Sequence, residues 1–163
     1  MYKMTYLTYV QSPLGTLTLG SDGQALTLLS LREIPPVEGQ IFKDDLPLWP
    51  PIRDWLNHYW QGTDPGRFPV PLRPAGTPFQ EKVWQLLLEI PYGKTVTYGD
   101  LARALDCGRM SPQAVGGAVG RNPIAIVIPC HRVVGTGGRI TGYAYGLEAK
   151  KKLLILENAP FST

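Results

Sequence analysis

From residue 4 to residue 31, apolar and polar positions alternate with the two-residue period of half-buried strands. The stretches TYLTYV, TLTLG and ALTLLSL carry the alternation, and Ser12-Pro13-Leu14-Gly15 and Ser21-Asp22-Gly23 mark turns between them. The pattern predicts a three-stranded meander. Residues 32–48 lose the period, are acidic and proline-marked, and read as a loop. The period then becomes helical. Pro50-Pro51 suit a helix start, and Ile52, Trp55, Leu56 and Tyr59 fall on one face, with His58 beside that stripe in a structural place. Residues 62–78 are rich in Gly and Pro without periodicity, as linkers are. This divides the chain into residues 1–76, an α/β domain with its linker, and residues 77–163.

The second part is patterned differently. Thr77-Pro78-Phe79-Gln80 is a capping box with Pro at the first helical position, predicting a helix over residues 78–90. Its stripe of Phe79, Val83, Leu86, Leu87 and Ile90 reads as core, and Pro91-Tyr92-Gly93 ends it. Thr97, with Asp100 three residues on, caps a helix over 98–105 that stops at Asp106-Cys107-Gly108; Ser111-Pro112 opens another reaching residue 120. Two short helices around a Gly-containing turn make a helix-turn-helix signature. The second of them, QAVGGAVG, carries adjacent glycines where a recognition helix has long polar readers. Each Gly inside a helix costs up to about 1 kcal/mol against Ala, so something requires the missing side chains. Close helix–helix packing and close approach of a DNA backbone in its minor groove explain them equally well. Arg121, before Asn122-Pro123, supplies a charge suited to phosphate. The apolar run IAIVI reads as a buried strand, and GTGGRITGYAYG as a Gly-rich loop without phosphate-loop spacing. A last helix over 147–158 is expected to carry Lys150, Lys151 and Lys152 outside and Leu147, Leu153, Leu154 and Leu156 toward the core. Glu157 falls at its C-terminal end, where the helix dipole disfavours a carboxylate. A buried His–Glu contact would explain it.

Composition narrows the chemistry. At 44% hydrophobic and 18% charged over 163 residues, the chain is of folding composition. No apolar run approaches the roughly 18 residues of a membrane span, and MYKMTYLTYV lacks an apolar signal region, so a cytoplasmic protein without membrane partners is expected. The net charge of +3 is uneven: Lys and Arg against Asp and Glu stand 6 to 7 over residues 1–77 and 10 to 6 over 78–163. That asymmetry leans weakly toward a polyanionic partner for the second part. Two cysteines and two histidines, widely spread, exclude a disulfide framework and a zinc spacing, so neither metal nor cofactor is expected.

Against that background, PCHRVV at residues 129–134 sets a thiol beside an imidazole. Free Cys is often merely packed. As a nucleophile, Cys130 would need a base, since a thiol of pKa near 8.5 is only a few per cent thiolate at neutral pH. Neighbours on an extended strand point to opposite faces, so contact with His131 would need a bridging water or a bend after Pro129. Glu157 is the carboxylate best placed to orient His131, completing a nucleophile–base–orienter set. Cysteine proteases use the same logic, but a helix-turn-helix beside the thiol points to chemistry on DNA.

The blocks TPFQEKVW, IPYGKTVTYGDLA, AVGGAVGRNP, NPIAIVIPCHRVVG and TGYAYGL, with a basic helix ending LLILE, resemble the O6-alkylguanine-DNA alkyltransferases, also called methylated-DNA–protein-cysteine methyltransferases. The likeness runs from Thr77 to Glu157, and PCHRV is its most specific part. It implies a ribonuclease-H-like α/β N-terminal domain and a mostly α, winged-helix-like C-terminal domain. It implies a monomeric suicide repair protein acting on double-stranded DNA, with Cys130 taking the alkyl group, chiefly methyl, from O6 of an extruded guanine by in-line displacement. Whether O4-methylthymine is also a substrate stays open. The small-residue helix would enter the minor groove through Gln113, Ala114, Gly116, Gly117 and Ala118, with Thr97 and Arg121 also on DNA. Tyr98 would help rotate the nucleotide and bond the base, Asn122 would brace the turn, and His131 and Glu157 would form a water-linked relay. Tyr143 would wall the alkyl pocket with Pro129, Ala144 and Tyr145, and the carbonyls of Cys130 and Val133 would accept from the guanine amino group.

Two departures matter. Gln113 stands where many members carry an arginine finger, bringing no charge and less stacking surface. Tyr145 stands where many have Gly, which should narrow the pocket and favour methyl over benzyl. Rival readings are a non-catalytic lesion-binding relative, a helix-turn-helix regulator and a cysteine hydrolase. The first replaces the nucleophile, whereas Cys130 is present; the second lacks base readers here; the third would turn over without DNA. Cys107 reads as incidental.

Overall fold

The alternation of the first thirty residues is realised as β1 (Thr5–Ser12), β2 (Gly15–Ser21) and β3 (Leu26–Ser30), paired antiparallel in sequence order. The coordinates, a computed structural model, describe residues 5–105 and 111–163 and divide into two units, Met1–Ala75 and Gly76–Thr163. The β1–β2 turn needs a left-handed residue, and Gly15 supplies it at φ +103°. At the next turn the Asp22 carboxylate accepts from the amides of Gln24 and Ala25, both at 3.0 Å.

The loop expected over residues 32–48 instead contains a fourth strand, β4 (Gln40–Phe42). It pairs parallel to β1, giving a mixed sheet of order β3-β2-β1-β4. Three residues are too few to show a period, which is why the pattern missed it. Two polar residues of the central β2, Thr18 and Ser21, are also buried. Thr18 is satisfied by the returning chain, donating to the Arg32 carbonyl at 2.6 Å and accepting from the Ile34 amide at 2.8 Å. Helix α1 (Trp49–Trp60) buries Ile52, Leu56 and Tyr59, and its Arg53 donates to Thr8 Oγ1 at 3.0 Å. His58 is exposed at the surface of α1.

In the second unit, both capping boxes form. Gln80 N bonds Thr77 Oγ1 at 3.1 Å at the start of α2 (Pro78–Leu87), and Asp100 N bonds Thr97 Oγ1 at 3.0 Å at the start of α3 (Tyr98–Ala104). Helix α2 stops three residues short of the expected end. Trp84, outside the expected stripe, is buried with its indole N–H on the Ala118 carbonyl at 2.9 Å. Ser111 caps α4 (Pro112–Gly120), which packs on α2 and α3. The turn between α3 and α4, with Cys107, lies outside the described residues. A two-residue parallel pair, β5 (Val96–Thr97) and β6 (Val133–Val134), joins the start of α3 to the chain just after the thiol. The last helix, α5, spans Leu147–Leu156, and its Leu147 is exposed rather than core. Among the described residues no helix is long and apolar enough to cross a membrane, and no cluster of three metal-ligating side chains occurs.

Candidate active site

The run at residues 124–128 is not a strand. It forms a buried turn in which Ile126 takes φ +70°, a left-handed conformation that costs a β-branched residue on the order of 1–2 kcal/mol. Asn122 holds the turn closed: its amide donates to the Ile128 carbonyl at 2.7 Å, and its Oδ1 accepts from the Ile124 amide at 2.9 Å. The chain then enters a 3-10 turn over Cys130–Arg132, with Pro129 at φ −83°, ψ 64° making the bend. Strand alternation therefore does not govern Cys130 and His131, and they lie on a tight turn. No direct hydrogen bond joins the Cys130 thiol to His131 among the described contacts.

Instead, His131 reaches Glu157. The fully buried His131 Nε2 and Glu157 Oε2 are 2.5 Å apart, while Glu157 Oε1 accepts from Arg132 Nε at 2.7 Å and from the Gly93 amide at 3.1 Å. Burial by itself would raise the Glu157 pKa, but the hydrogen bonds from His131 and Arg132 and the Arg132 charge outweigh it and hold it down at about 2. His131 is moved down by burial, against the pull of Glu157, and stays neutral at ordinary pH. Its Nδ1 is buried without a hydrogen-bond partner among the described residues. Burial pushes the Cys130 thiol up, opposed by hydrogen bonds from Asn122 and Tyr143 and by the charge of Lys150. The resting site is thus a thiol, a neutral imidazole and an oriented carboxylate.

The thiol faces a cavity of about 250 Å³, lined by Tyr98, Gly116, Val119, Gly120, Asn122, Cys130, Gly142, Tyr143, Ala144 and Tyr145. Tyr143 and Tyr145 meet edge-on, with centroids 5.6 Å apart at 67°. The Tyr98 hydroxyl is raised by burial and eased by a hydrogen bond with Thr141. Lys150, expected outside, is fully buried behind this wall. Its ammonium donates to the carbonyls of Thr141 at 2.8 Å and Gly142 at 3.2 Å and lies 6.0 Å from the Tyr98 ring centre. Burial brings its pKa down to about 8, with the Cys130 charge opposing. Spacing could have found it: positions 150, 153, 154 and 157 form one helical stripe, so Lys150 shares a face with Leu153, Leu154 and Glu157.

Comparison with known proteins decides the lineage. The family described as 6-O-methylguanine DNA methyltransferase, DNA binding domain, matches residues 78–159. A methylated-DNA–protein-cysteine methyltransferase of Haemophilus influenzae is 42% identical over 158 residues, covering 96% of this chain and 88% of that protein. The chain belongs to the methylated-DNA–protein-cysteine methyltransferase family. The Methanosarcina acetivorans member is 40% identical, covering 94% of this chain and 99% of its own. The crystal structure of Mycobacterium tuberculosis OGT in complex with DNA superposes with a TM-score of 0.86 at 40% identity, covering 95% of each chain.

Within this family member, Cys130, Asn122, Tyr98, Tyr143, Ala144 and Tyr145 meet around one cavity, with His131 and Glu157 paired behind the thiol. Pro129 and Val133 are buried and not on that wall; Val119, Gly120 and Gly142 occupy places that motif reading did not assign. Gln113, Ala114 and Arg121 are exposed on α4 or at its end. Thr97 spends its hydroxyl on the α3 cap. Side chains added at the α4 glycines would meet little: the nearest atom lies 3.9 Å away at Gly116 and 3.6 Å at Gly117, with nothing within 4 Å at Gly120. Among the described residues, packing does not require these glycines.

Proposed function

We propose that this chain repairs duplex DNA by moving an alkyl group, chiefly methyl, from O6 of guanine to Cys130, once per molecule. The observation that carries the reading is a buried thiol at the wall of an aromatic-lined cavity, backed by the His131–Glu157 pair, in a chain of this family. The thiol proton passes to His131 Nδ1 through a bridging water. Sulfur attacks the alkyl carbon in line, the C–S bond forms, the C–O6 bond breaks, and the departing guanine anion takes up one proton as His131 gives one back, so the imidazole ends neutral. The thioether is stable, so no turnover follows.

The base must leave the duplex to reach Cys130. The bare surface of α4, with Ala114, Gly116 and Gly117, suits close approach to a minor groove, Arg121 a phosphate, and Gln113 the gap left by the extruded base. Thr97 and Tyr98 begin the helix beside it, with Tyr98 on the base. The carbonyls of Cys130 and Val133 receive the guanine amino group, and Pro129 sets the bend that aims them. In this reading residues 1–76 form a ribonuclease-H-like domain, and residues 77–163 a winged-helix-like domain that does the chemistry. O4-methylthymine is a second candidate substrate of the same cavity.

The test is the intact mass of the protein after incubation with duplex DNA carrying one O6-methylguanine, followed by peptide mapping. A stoichiometric gain of one methyl group on Cys130, absent in Cys130→Ala, is expected. Tight lesion binding without a mass change would place the chain among non-catalytic lesion binders instead.

A further inference from the structure

Arg132 is the least explained residue of the site. It is buried, yet a buried guanidinium is costly unless its position does something. Three described contacts fix it: Nε on Glu157 Oε1 at 2.7 Å, Nη1 on the Ile90 carbonyl at 2.8 Å, and Cζ over the Tyr92 ring, 5.7 Å from its centre. The same turn contributes the Gly93 amide to Glu157 Oε1 at 3.1 Å. A side chain at Gly93 would crowd the Glu157 carbonyl at 3.2 Å, and its φ of +76° favours glycine as well. Glu157 Oε1 is thereby filled by two donors that are not His131, and Oε2 is left for the imidazole.

We propose that Arg132 is a positioning residue of the transfer reaction: by holding Glu157 as an oriented anion and offsetting its charge, it keeps His131 neutral, with the proton on Nε2 and the lone pair on Nδ1. The inference rests on the functional reading above. An ionised carboxylate only accepts, so the proton of the His131–Glu157 bond belongs to Nε2, and the neutral ring then has Nδ1 as its basic atom. A buried carboxylate alone would favour the imidazolium, the form that cannot take a proton from a thiol. The charges facing His131 are Glu157 and Lys150 from the α5 side, and Arg132 and the Cys130 thiol from its own turn. Burial opposes protonation of the ring most, with Arg132 and Lys150 adding to it, and of these two cations Arg132 is hydrogen-bonded to Glu157 among the described residues.

The chain has two histidines, so nitrogen NMR of the imidazoles gives two ring systems, with exposed His58 as internal reference. In the unaltered protein, His131 is expected as the Nε2–H tautomer and to titrate below an ordinary histidine. Arg132→Met should raise its titration by at least one unit, a tenfold change in proton affinity; Arg132→Lys, which keeps the charge, should shift it less. Single-turnover methyl transfer in Arg132→Met should fall at least tenfold near pH 6 and recover toward the unaltered rate above pH 8. A merely structural role would lower the rate evenly across pH. An unmoved His131 titration in folded Arg132→Met overturns the proposal. So does an Nδ1–H tautomer in the unaltered protein, a measurement that needs no variant to fold. If the unaltered protein shows the expected imidazole but transfers no methyl group, the functional reading falls and the electrostatic role of Arg132 stands.

Discussion

Glu157 concentrates much of the site's physics in one carboxylate. Among the described residues it takes two N–H donors on one oxygen and one on the other, and its pKa drops from the usual 4.5 to about 2. On unfolding it regains the ordinary value, so the unfolded chain binds the proton first as pH falls. Its contribution to stability is therefore present above about pH 4.5 and lost on descending toward pH 2, an effect of about 3 kcal/mol. Urea unfolding midpoints should fall across that window in the unaltered protein and be flatter in Glu157→Gln, which has no carboxylate to protonate. In the proposed reaction, Tyr145 is the residue expected to limit cargo size. At about 250 Å³ the cavity is below the common range of ligand pockets, roughly 300–1,000 Å³, and the Tyr145 ring is part of its wall. Tyr145→Gly should speed reaction with O6-benzylguanine relative to O6-methylguanine in competition; an unchanged ratio would remove Tyr145 from specificity. At this scale the Glu157 anomaly was legible, because a carboxylate at a helix C-terminus asks for a partner. The burial of Lys150 was hidden by two identical neighbours.

Among the elements, those announced by their ends were legible. Thr77 with Gln80, and Thr97 with Asp100, form the boxes their spacing predicts. Elements defined by pairing across the chain were not. The two-residue β5 and β6 exist because they meet each other, and no local period betrays them. The same holds for the buried turn at residues 124–128: an apolar run shows that a segment is inside, not whether it is extended. Helix α4 gives the sharpest contrast between stability and function. Since added methyl groups at Gly116 and Gly117 meet no close neighbour, Gly116→Ala with Gly117→Ala should stabilise the fold, by up to about 1 kcal/mol each. The same pair should weaken binding to duplex DNA, because the surface that would lie against the backbone gains bulk. Parallel thermal melts and DNA-binding titrations check both signs, and undiminished binding would exclude this face as the DNA contact.

For the whole molecule, the division of labour follows the motifs. Met1–Ala75 holds the mixed sheet and α1, while Gly76–Thr163 holds the thiol and every side chain around it. That second unit builds its centre from distant parts of the chain. Glu157 joins His131 across 26 positions and Gly93 across 64, and Arg132 joins Ile90 across 42. Contacts of such separation bear a loop-closure entropy that local helices and hairpins do not. In time rather than in space, then, the Cys130 thiol is expected to be the last part of the molecule to be shielded. A refolding chain should recover its helical signal while Cys130 is still open to a small alkylating reagent, and pulse labelling mapped to the Cys130 peptide would show that lag. The arrangement that guards the thiol in the finished protein leaves it unguarded during folding, so the chain's reactive group is most easily spent before it can be used.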